Sequence, residues 1–161
     1  MANAARRRLD VAEAAELIRD RLRGWGTVHM PIDAAQGEGL RQSITAERHQ
    51  PPFDRGTMDG IAIRHSAFAA GLRTFPVAGT QSAGSAPMPL PNEKSCVAIM
   101  TGAALPPGAD TVVPVERISR EDAIAIVEAG YQPVAGQFIH RRASDHSQGA
   151  TLLSPGAVLG A

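Results

Sequence analysis

The pattern of apolar and polar positions changes once along the chain, near residue 24. Over residues 10–23, apolar side chains recur at three- and four-residue intervals, which is the period of one helix face. This stripe consists of Val11, Ala14, Ala15, Ile18 and Leu22. Asp10 is a favourable N-cap, and Glu13 stands three residues later, as in a capping box. The pattern predicts an amphipathic helix over residues 10–23 that Gly24 terminates.

Beyond residue 24 the apolar residues occur in short runs separated by glycine and proline, which is typical of strands and turns. The runs occupy residues 61–64, 75–78, 96–100, 111–116, 123–128 and 137–141. Residues 119–123 look like a hairpin connection, and residues 151–161 complete neither a helix nor a strand. Runs spaced this closely by turn residues favour a β-rich domain over repeated βαβ units.

Composition excludes several functional classes. The 161 residues fit one ordinary domain or two small ones. Sixteen basic and sixteen acidic residues cancel, which argues against a nucleic-acid-binding protein that relies on a basic surface. No run of about eighteen apolar residues occurs, so the sequence predicts no membrane-spanning segment and no membrane partner. The single cysteine excludes an intrachain disulfide and a cysteine-based zinc site, and a reducing cytoplasm suits such a chain best.

Isolated reactive residue types give little support for a site. Cys96 opens an apolar run, so we expect a buried small hydrophobe rather than a nucleophile. The five histidines include no pair four residues apart, so we expect surface or hydrogen-bonded side chains rather than metal ligands.

Residues 51–64 form the first segment with candidate chemistry. Pro51 and Pro52 lead into a polar loop, which ends at Asp59 and Gly60 ahead of an apolar run. Glycine permits a positive φ or the close approach of another group, so Asp59 would be held at a strand entrance, where a carboxylate can face a ligand or metal. Asp-Gly is also the commonest kind of turn dipeptide, and the residues alone favour an ordinary turn.

The second segment covers residues 98–113, where a predicted strand ends at Thr101 and Gly102. Thr101 offers a hydroxyl, and Gly102 leaves room for a phosphate or oxyanion beside backbone N–H groups. A hairpin-like connection with a capping threonine fits the same residues, and spacing does not separate the two interpretations.

Taken together, the two segments resemble the N-terminal half of the MoeA family, the molybdopterin molybdenumtransferases, which include the E domain of gephyrin. The family loop Pro-x-Phe-Asp-x-Ser-x-Met-Asp-Gly-Tyr-Ala is similar to the segment that begins at Pro51-Pro52 and ends at Ala62. A family Ala-Gly stretch is similar to residues 82–86, and Ile-Met-Thr-Gly-Ala-x-Leu-Pro-x-Gly-Ala-Asp-x-Val-Val is similar to residues 99–113 without a gap. The resemblance extends over residues 10–161, the N-terminal portion only.

The resemblance implies a fold as well. We expect a β-dominated α+β chain with a two-part architecture, in which a compact β domain is inserted into an N-terminal domain. Residues 1–44 and 135–161 would form the N-terminal or linker domain, with the amphipathic helix and extended strands. Residues 45–134 would form the inserted β domain.

The family inserts molybdate into adenylylated molybdopterin during molybdenum cofactor biosynthesis, with a divalent cation such as Mg²⁺, so the resemblance implies that activity. It implies catalytic roles for Asp59, Thr101 and Asp145, substrate binding by Met58, Gly60 and Gly102, and metal contact by Asp59 and Asp145. It also implies a cytoplasmic homodimer whose substrates are the adenylylated pterin and molybdate.

Length and several substitutions set this chain apart from the family. Family members continue into a third, α/β domain that holds the pterin, and their cleft lies between that domain and the second domain of the partner subunit. We therefore expect this chain to supply one wall of the site and to be inactive alone. Ala143 and Ser144 replace a Gly-Glu pair ahead of Asp145, Ile61 replaces Tyr, and Gly56 replaces Ser. The alternative is a non-catalytic dimerisation or interaction module derived from this family.

Overall fold

The computed structural model describes residues 8–24 and 26–160. The contacts divide the chain into two compact units: an N-terminal unit of Met1–Gln42 with Pro155–Ala161, and a sheet unit of Ser43–Ser154. Residues 1–7 and 161 of the predicted N-terminal domain lie outside the described residues. The predicted domain boundaries at residues 44 and 135 stay a prediction.

Helix α1, Val11–Arg21, begins as the sequence predicts. The Oδ1 atom of Asp10 accepts the N–H of Glu13 at 2.8 Å, and a carboxylate oxygen of Glu13 accepts the N–H of Asp10 at 3.1 Å. These reciprocal bonds form a capping box and satisfy two N–H groups of the first turn. The helix ends earlier than Gly24, because Leu22 adopts an extended conformation with ψ 119°. Within this chain, three residues of the predicted apolar stripe, Val11, Ile18 and Leu22, are exposed, and Ala14 and Ala15 are half-buried. Val11 retains 88% of its accessible surface.

The rest of the N-terminal unit is irregular. A 3-10 turn covers Ile32–Ala34, and the segment around Gly39 pairs with the chain's last described residues through an antiparallel bridge to Val158. Backbone bonds between Leu40 and Ala157 and between Gly37 and Leu159 extend this pairing. The two ends of the unit are therefore joined by main-chain hydrogen bonds.

The sheet unit contains ten strands and one short helix among its described residues. In chain order they are β1 Ile44–Thr45, β2 Arg55–Gly56, β3 Gly60–Ile63, α2 His65–Ala69, β4 Thr74–Gln81, β5 Cys96–Ile99, β6 Thr111–Pro114, β7 Ile118–Glu121, β8 Ile124–Val127, β9 Ile139–His140 and β10 Thr151–Leu153. Six strands form one sheet in the order β6-β3-β5-β4-β8-β7, and two-stranded pairs join β1 to β10 and β2 to β9. Neighbouring strands of the six-stranded sheet are antiparallel, except β4 and β5, which run parallel.

Alternation along β3 places apolar side chains on both faces of the sheet. Ile61 and Ile63 belong to one core cluster, which includes Phe68 of α2 and Phe75 of β4. Ala62, between them, belongs to a second cluster on the opposite face. Strands covered on both faces carry continuous apolar runs, which is why the pattern of β3, β5 and β6 was readable in the sequence.

Most of the predicted strands are present, and the β-dominated α+β class is confirmed. Three expectations were wrong, one of them only in part. Of residues 119–123, which were expected to form a hairpin connection, residues 119–121 belong to strand β7, and only Asp122 and Ala123 connect it to β8. Thr151–Leu153 form β10, although the tail was expected to complete no element. The predicted run 111–116 ends at Pro114 and continues as a 3-10 turn. β7 carries Ser, Arg and Glu at exposed positions, so it lacks the apolar pattern of a buried strand.

None of the helices that the structure describes is both long enough and apolar enough to cross a membrane.

Candidate functional site

Strand β2 lies between two loops and fixes the segment that leads to Asp59. It pairs with β9 in antiparallel register, with Arg55 opposite His140. On its other side, the N–H of Gly56 donates to the carbonyl of Ala103 at 3.0 Å, and the N–H of Gly102 donates to the carbonyl of Gly56 at 2.9 Å. The loop of residues 51–60 is thus bonded to the loop after β5 and to β9.

Asp59 and Thr101, which come from the two sequence motifs, contact each other directly. The Oδ1 atom of Asp59 accepts the backbone N–H and the hydroxyl of Thr101, both at 2.6 Å. These bonds stabilise the ionised carboxylate, so the Thr101 hydroxyl first, and its N–H second, hold the pKa of Asp59 below its usual value. Asp59 is exposed and ionised at neutral pH, so it can bind cations or hydrogen-bond donors but cannot serve as a general acid.

Gly60 follows Asp59 and is required by close packing. It lies opposite Pro114 of β6 in the antiparallel register, and a Cβ at this position would overlap the carbonyl oxygen of Val113. The N–H of Val115 donates to the carbonyl of Asp59 at 2.9 Å, which anchors the same turn. The sequence expectation of a close approach at Gly60 is confirmed, and the neighbour is β6. Substrate binding by Gly60 stays a prediction.

At Gly102, by contrast, glycine is favoured by the backbone conformation. Its φ of 81° lies in the left-handed region that favours glycine, and a Cβ there would meet no atom within 4 Å. Met58 is half-buried in the same arrangement of loops. Substrate binding by Met58 and Gly102 also stays a prediction.

A cavity of about 170 Å³ opens beside Asp59. Its lining combines the start of β3, the end of β5, and residues between Val115 and Arg120, so Asp59 lies at the edge of a mostly apolar recess. Met100 and Val115 line it, although 42% of the surface of Met100 and 50% of that of Val115 are exposed. Exposed apolar side chains beside a fixed carboxylate are suited to contact with a ligand or another polypeptide.

Asp145 lies in a different hydrogen-bonded group. Its Oδ1 atom accepts a hydrogen bond from the Nε2 atom of His140 at 2.7 Å, and its backbone N–H donates to the carbonyl of Gln50 at 2.9 Å. Among the hydrogen bonds and ion pairs of the described residues, none joins Asp145 to Asp59 or Thr101. Both groups nevertheless attach to β2, one through Gly56 and the other through Arg55.

The sequence reasoning missed Asp54 as a site residue. Its carboxylate accepts the backbone N–H of Arg142 at 2.8 Å and a guanidinium N–H of Arg141 at 2.7 Å. The Arg142 N–H, which is the largest single cause, and the hydrogen bond and charge of Arg141 hold the pKa of Asp54 below its usual value, against the opposing effect of burial. The available signal was an acidic residue in the first motif and an Arg-Arg pair just ahead of Asp145.

Ala143 adopts a φ of 62°, which costs energy for a residue with a side chain. The family pattern has glycine at this position, and glycine adopts such a conformation without that cost. Its N–H still donates to the carbonyl of Pro51 at 2.9 Å, so the turn is kept despite the substitution.

Cys96 is fully buried, as expected of a small hydrophobe. Burial raises the pKa of its thiol to about 12, so it is not a nucleophile at neutral pH. Within residues 8–24 and 26–160, no group of three or more His, Cys, Asp or Glu side chains is arranged to hold a metal ion.

Comparisons with known proteins agree on one family. A family model for the MoeA N-terminal region (domain I and II) matches residues 9–161. A molybdopterin molybdenumtransferase from Synechocystis is 36% identical over 151 residues, which are 94% of this chain and 39% of that protein. One from Synechococcus elongatus is 37% identical over 126 residues, 74% of this chain and 30% of that protein.

A solved structure of a molybdopterin biosynthesis MoeA protein from Pyrococcus horikoshii superposes with a TM-score of 0.71 at 28% identity, covering 94% of this chain and 39% of that one. The matched residues therefore span 30–39% of the length of these relatives. Since the family model covers nearly the whole sequence, the chain belongs to the MoeA family and corresponds to its N-terminal region.

Proposed function

We propose that this chain supplies one wall of a site that inserts molybdate into adenylylated molybdopterin. The observation that supports the proposal most strongly is the contact between Asp59 and Thr101. These residues are far apart in sequence and belong to the two segments that resemble the family, and two 2.6 Å hydrogen bonds join them where β3 begins and β5 ends. An exposed, ionised carboxylate in a fixed position can bind a divalent cation that accompanies anionic substrates.

A divalent cation such as Mg²⁺ would fit this wall only as a shared ion. Asp59 keeps one carboxylate oxygen, Oδ2, outside its two bonds to Thr101. Mg²⁺ at phosphate sites takes one or two carboxylates and completes its shell with water and phosphate oxygens, so one oxygen from this chain is compatible with it. When bound, such a cation would neutralise phosphate and molybdate oxygens together.

In this scheme, the residues of this chain would position and orient the carboxylates of Asp59 and Asp145. Thr101 fixes the Asp59 carboxylate, while Gly60 and the bond from the N–H of Val115 to the carbonyl of Asp59 hold this residue at the start of β3. Asp145 would act as a second carboxylate from the neighbouring loop, oriented by His140. Both carboxylates would attract a cation that accompanies the anionic substrates.

Because the matched residues span 30–39% of the length of these relatives, the pterin site would come from elsewhere. We propose a cytoplasmic homodimer in which the pterin-binding region of one subunit faces this wall of the other. The isolated chain would then have no activity by itself. The exposed apolar side chains of Met100 and Val115 beside Asp59 are consistent with a surface that another polypeptide covers.

The alternative is an interaction module that kept the fold without the chemistry. Ser144, exposed beside Asp145, lacks the carboxylate that the family pattern has there, and this favours the alternative. The replacement of Tyr by Ile61 does not, because Ile61 is 99% buried in the core of the sheet and its identity is explained by packing. A stable dimer without affinity for the pterin, even when a separate pterin-domain protein is supplied, would support the module.

Substitution of Asp59 tests the proposed function. In the complete polypeptide that the gene encodes, supplied with a pterin-domain protein if it lacks one, Asp59→Asn should reduce molybdate insertion about 100-fold or more. That size is expected because even residues that only orient metal ligands typically contribute 10–100-fold. Product is measured as molybdenum cofactor formed from adenylylated molybdopterin and molybdate.

A matched pair of threonine variants controls for loop disruption. Thr101→Val removes the hydroxyl bond to Asp59 and should reduce insertion, whereas Thr57→Val, in the same set of loops, should leave it unchanged because only the backbone of Thr57 makes a described bond. Thermal unfolding of each variant verifies the fold. Near-normal insertion by Asp59→Asn would remove Asp59 from the proposed role.

A further inference from the structure

Arg55, His140 and Asp145 form a linear chain of hydrogen bonds across the β2–β9 pair. The Nη2 atom of Arg55 lies 3.2 Å from Nδ1 of His140, and Nε2 of His140 lies 2.7 Å from Oδ1 of Asp145. Arg55 and His140 are register partners, so the first contact is set by strand pairing. The imidazole therefore bridges a strand residue to a loop carboxylate.

The chemistry of the two partners determines which nitrogen of His140 carries the proton. A guanidinium only donates hydrogen bonds, so Nδ1 of His140 must accept and cannot bear a proton. An ionised carboxylate only accepts, so Nε2 must donate. The two contacts together place the proton of the His140 ring on Nε2.

This arrangement constrains the Asp145 carboxylate at two points. The side chain is held through Oδ1 by His140, and the backbone is held by the bond from its N–H to the carbonyl of Gln50. In the part of the chain that the structure describes, Oδ2 of Asp145 makes no hydrogen bond. One oxygen is thus used for orientation and the other is left for a ligand, as is usual for carboxylates at binding sites that a neighbouring side chain orients.

We infer that His140 is a positioning residue for Asp145 and that Arg55, together with the carboxylate itself, favours the tautomer in which it does so. The inference rests on the proposed function, in which Asp145 belongs to the site. A purely structural role, in which the three side chains only join β2 to the following loop, is the competing explanation. Loss of the bond to Asp145 and loss of the bond to Arg55 have different consequences under the two explanations.

Two amide variants separate the hydrogen bonds of His140. His140→Gln places an amide nitrogen near the position of Nε2, so it can donate to Asp145 but offers Arg55 no acceptor at the Nδ1 position. His140→Asn places its amide near the position of Nδ1, so it can accept from Arg55 but does not reach Asp145. The two side chains are similar in polarity, so each serves as the control for the other.

The functional experiment measures molybdate insertion by both variants in the same assembly as above. His140→Gln should retain kcat within about threefold, and His140→Asn should lower kcat about 10–100-fold, the range seen when an orienting partner of a site ligand is lost. Thermal unfolding midpoints should be alike for the two. If both variants lose activity equally, in proportion to lost stability, the role of His140 is structural and the inference is overturned.

Imidazole ¹⁵N NMR on the chain itself tests the tautomer without any assay. In mildly alkaline buffer, the Nδ1 signal of His140 should have the high shift of a nitrogen with a free lone pair. Arg55→Met removes one of the two contacts that favour this tautomer and should move that signal part of the way toward the average of two exchanging tautomers. A protonated Nδ1 in the unsubstituted chain would overturn the assignment.

The two experiments also distinguish failure of this inference from failure of the proposed function. Normal insertion by Asp145→Asn, together with the expected NMR result, would remove Asp145 from the site and the positioning role with it, while the tautomer stands. Loss of insertion in Asp145→Asn with normal insertion in His140→Asn would keep the proposed function and refute positioning by His140.

Discussion

Strands β3, β5 and β6 are stabilised by burial of apolar side chains, whereas the loops at their ends are held by hydrogen bonds to carboxylates. Every residue of β5 and β6 is buried, as are the last three of β3. In the loops, Asp54 and Asp59 each accept a hydrogen bond from a residue distant in sequence, and Asp145 accepts one from His140, five residues before it. The two regions adjoin within one compact unit, so the contrast is between forces rather than between domains.

This difference explains how loops can hold the side chains of a site in fixed positions. Burial of apolar surface is non-directional and stabilises many arrangements about equally, while a hydrogen bond to a carboxylate fixes both distance and angle. Asp59 lies at the junction, because its side chain is bonded to Thr101 and its successor Gly60 is packed into the sheet. Apolar burial in the sheet provides stability, and the hydrogen bonds to carboxylates fix the positions of the loops.

The largest effect that the comparison predicts is in the core of the sheet. Ile63→Ala should lower the free energy of unfolding by about 2–5 kcal/mol, because Ile63 is fully buried beside Phe68 and Phe75 and a cavity would remain. Denaturant unfolding followed by circular dichroism measures it. Ile124→Ala is the matched control in β8, where 39% of the residue is exposed, and it should cost less than about 1 kcal/mol. Equal costs at the two positions would contradict the role assigned to burial.

The second prediction concerns the two glycines of the candidate site. Gly60→Ala should destabilise by about 3 kcal/mol, the upper end of overpacking costs, since the added Cβ meets the backbone of β6 and not a movable side chain. Gly102→Ala meets no atom within 4 Å and is strained only by its φ of 81°, which costs about 1 kcal/mol. Urea unfolding of both variants gives the comparison. A larger loss of stability in Gly102→Ala than in Gly60→Ala would show that backbone conformation, and not packing, determines the cost at these two positions.

The buried strands were predictable because their apolar runs are long enough to stand out between glycines and prolines. β3, β5 and β6 lie where the sequence places runs. β7 was missed because three of its four residues are exposed and polar, and its Ser, Arg and Glu look like a turn. β1, β2 and β10 are two or three residues long, too short to give a period-2 pattern, and depend on partners far away in sequence.

The site was predictable only where a motif resemblance was available. Asp59 and Thr101 were singled out together, although the residues alone favoured an ordinary turn at Asp59 and did not separate a turn from a site at Thr101. The contact between them depends on how β3 and β5 pair, and no local pattern encodes it. The same limitation applies to Asp54 and His140, whose partners lie 85 or more residues away for the bonds to Arg55, Arg141 and Arg142.

The smallest expected effect distinguishes the loops from the core by its dependence on pH. The pKa of Asp54 is lowered in the folded chain, chiefly by the Arg142 N–H, so its contribution to stability is present above the unfolded value of about 3.9 and is lost as pH falls through the folded pKa. Asp54→Asn should therefore destabilise by about 1 kcal/mol or less near neutral pH, and the difference from the unsubstituted chain should shrink below about pH 4.

Arg141→Gln, which leaves the dominant Arg142 bond in place, should retain most of the pH dependence. Urea unfolding at a series of pH values measures both variants, and Ile63→Ala should show a cost that stays constant across the series. A difference for Asp54→Asn that grows as pH falls would mean that the loop is held by something other than its ionised carboxylate.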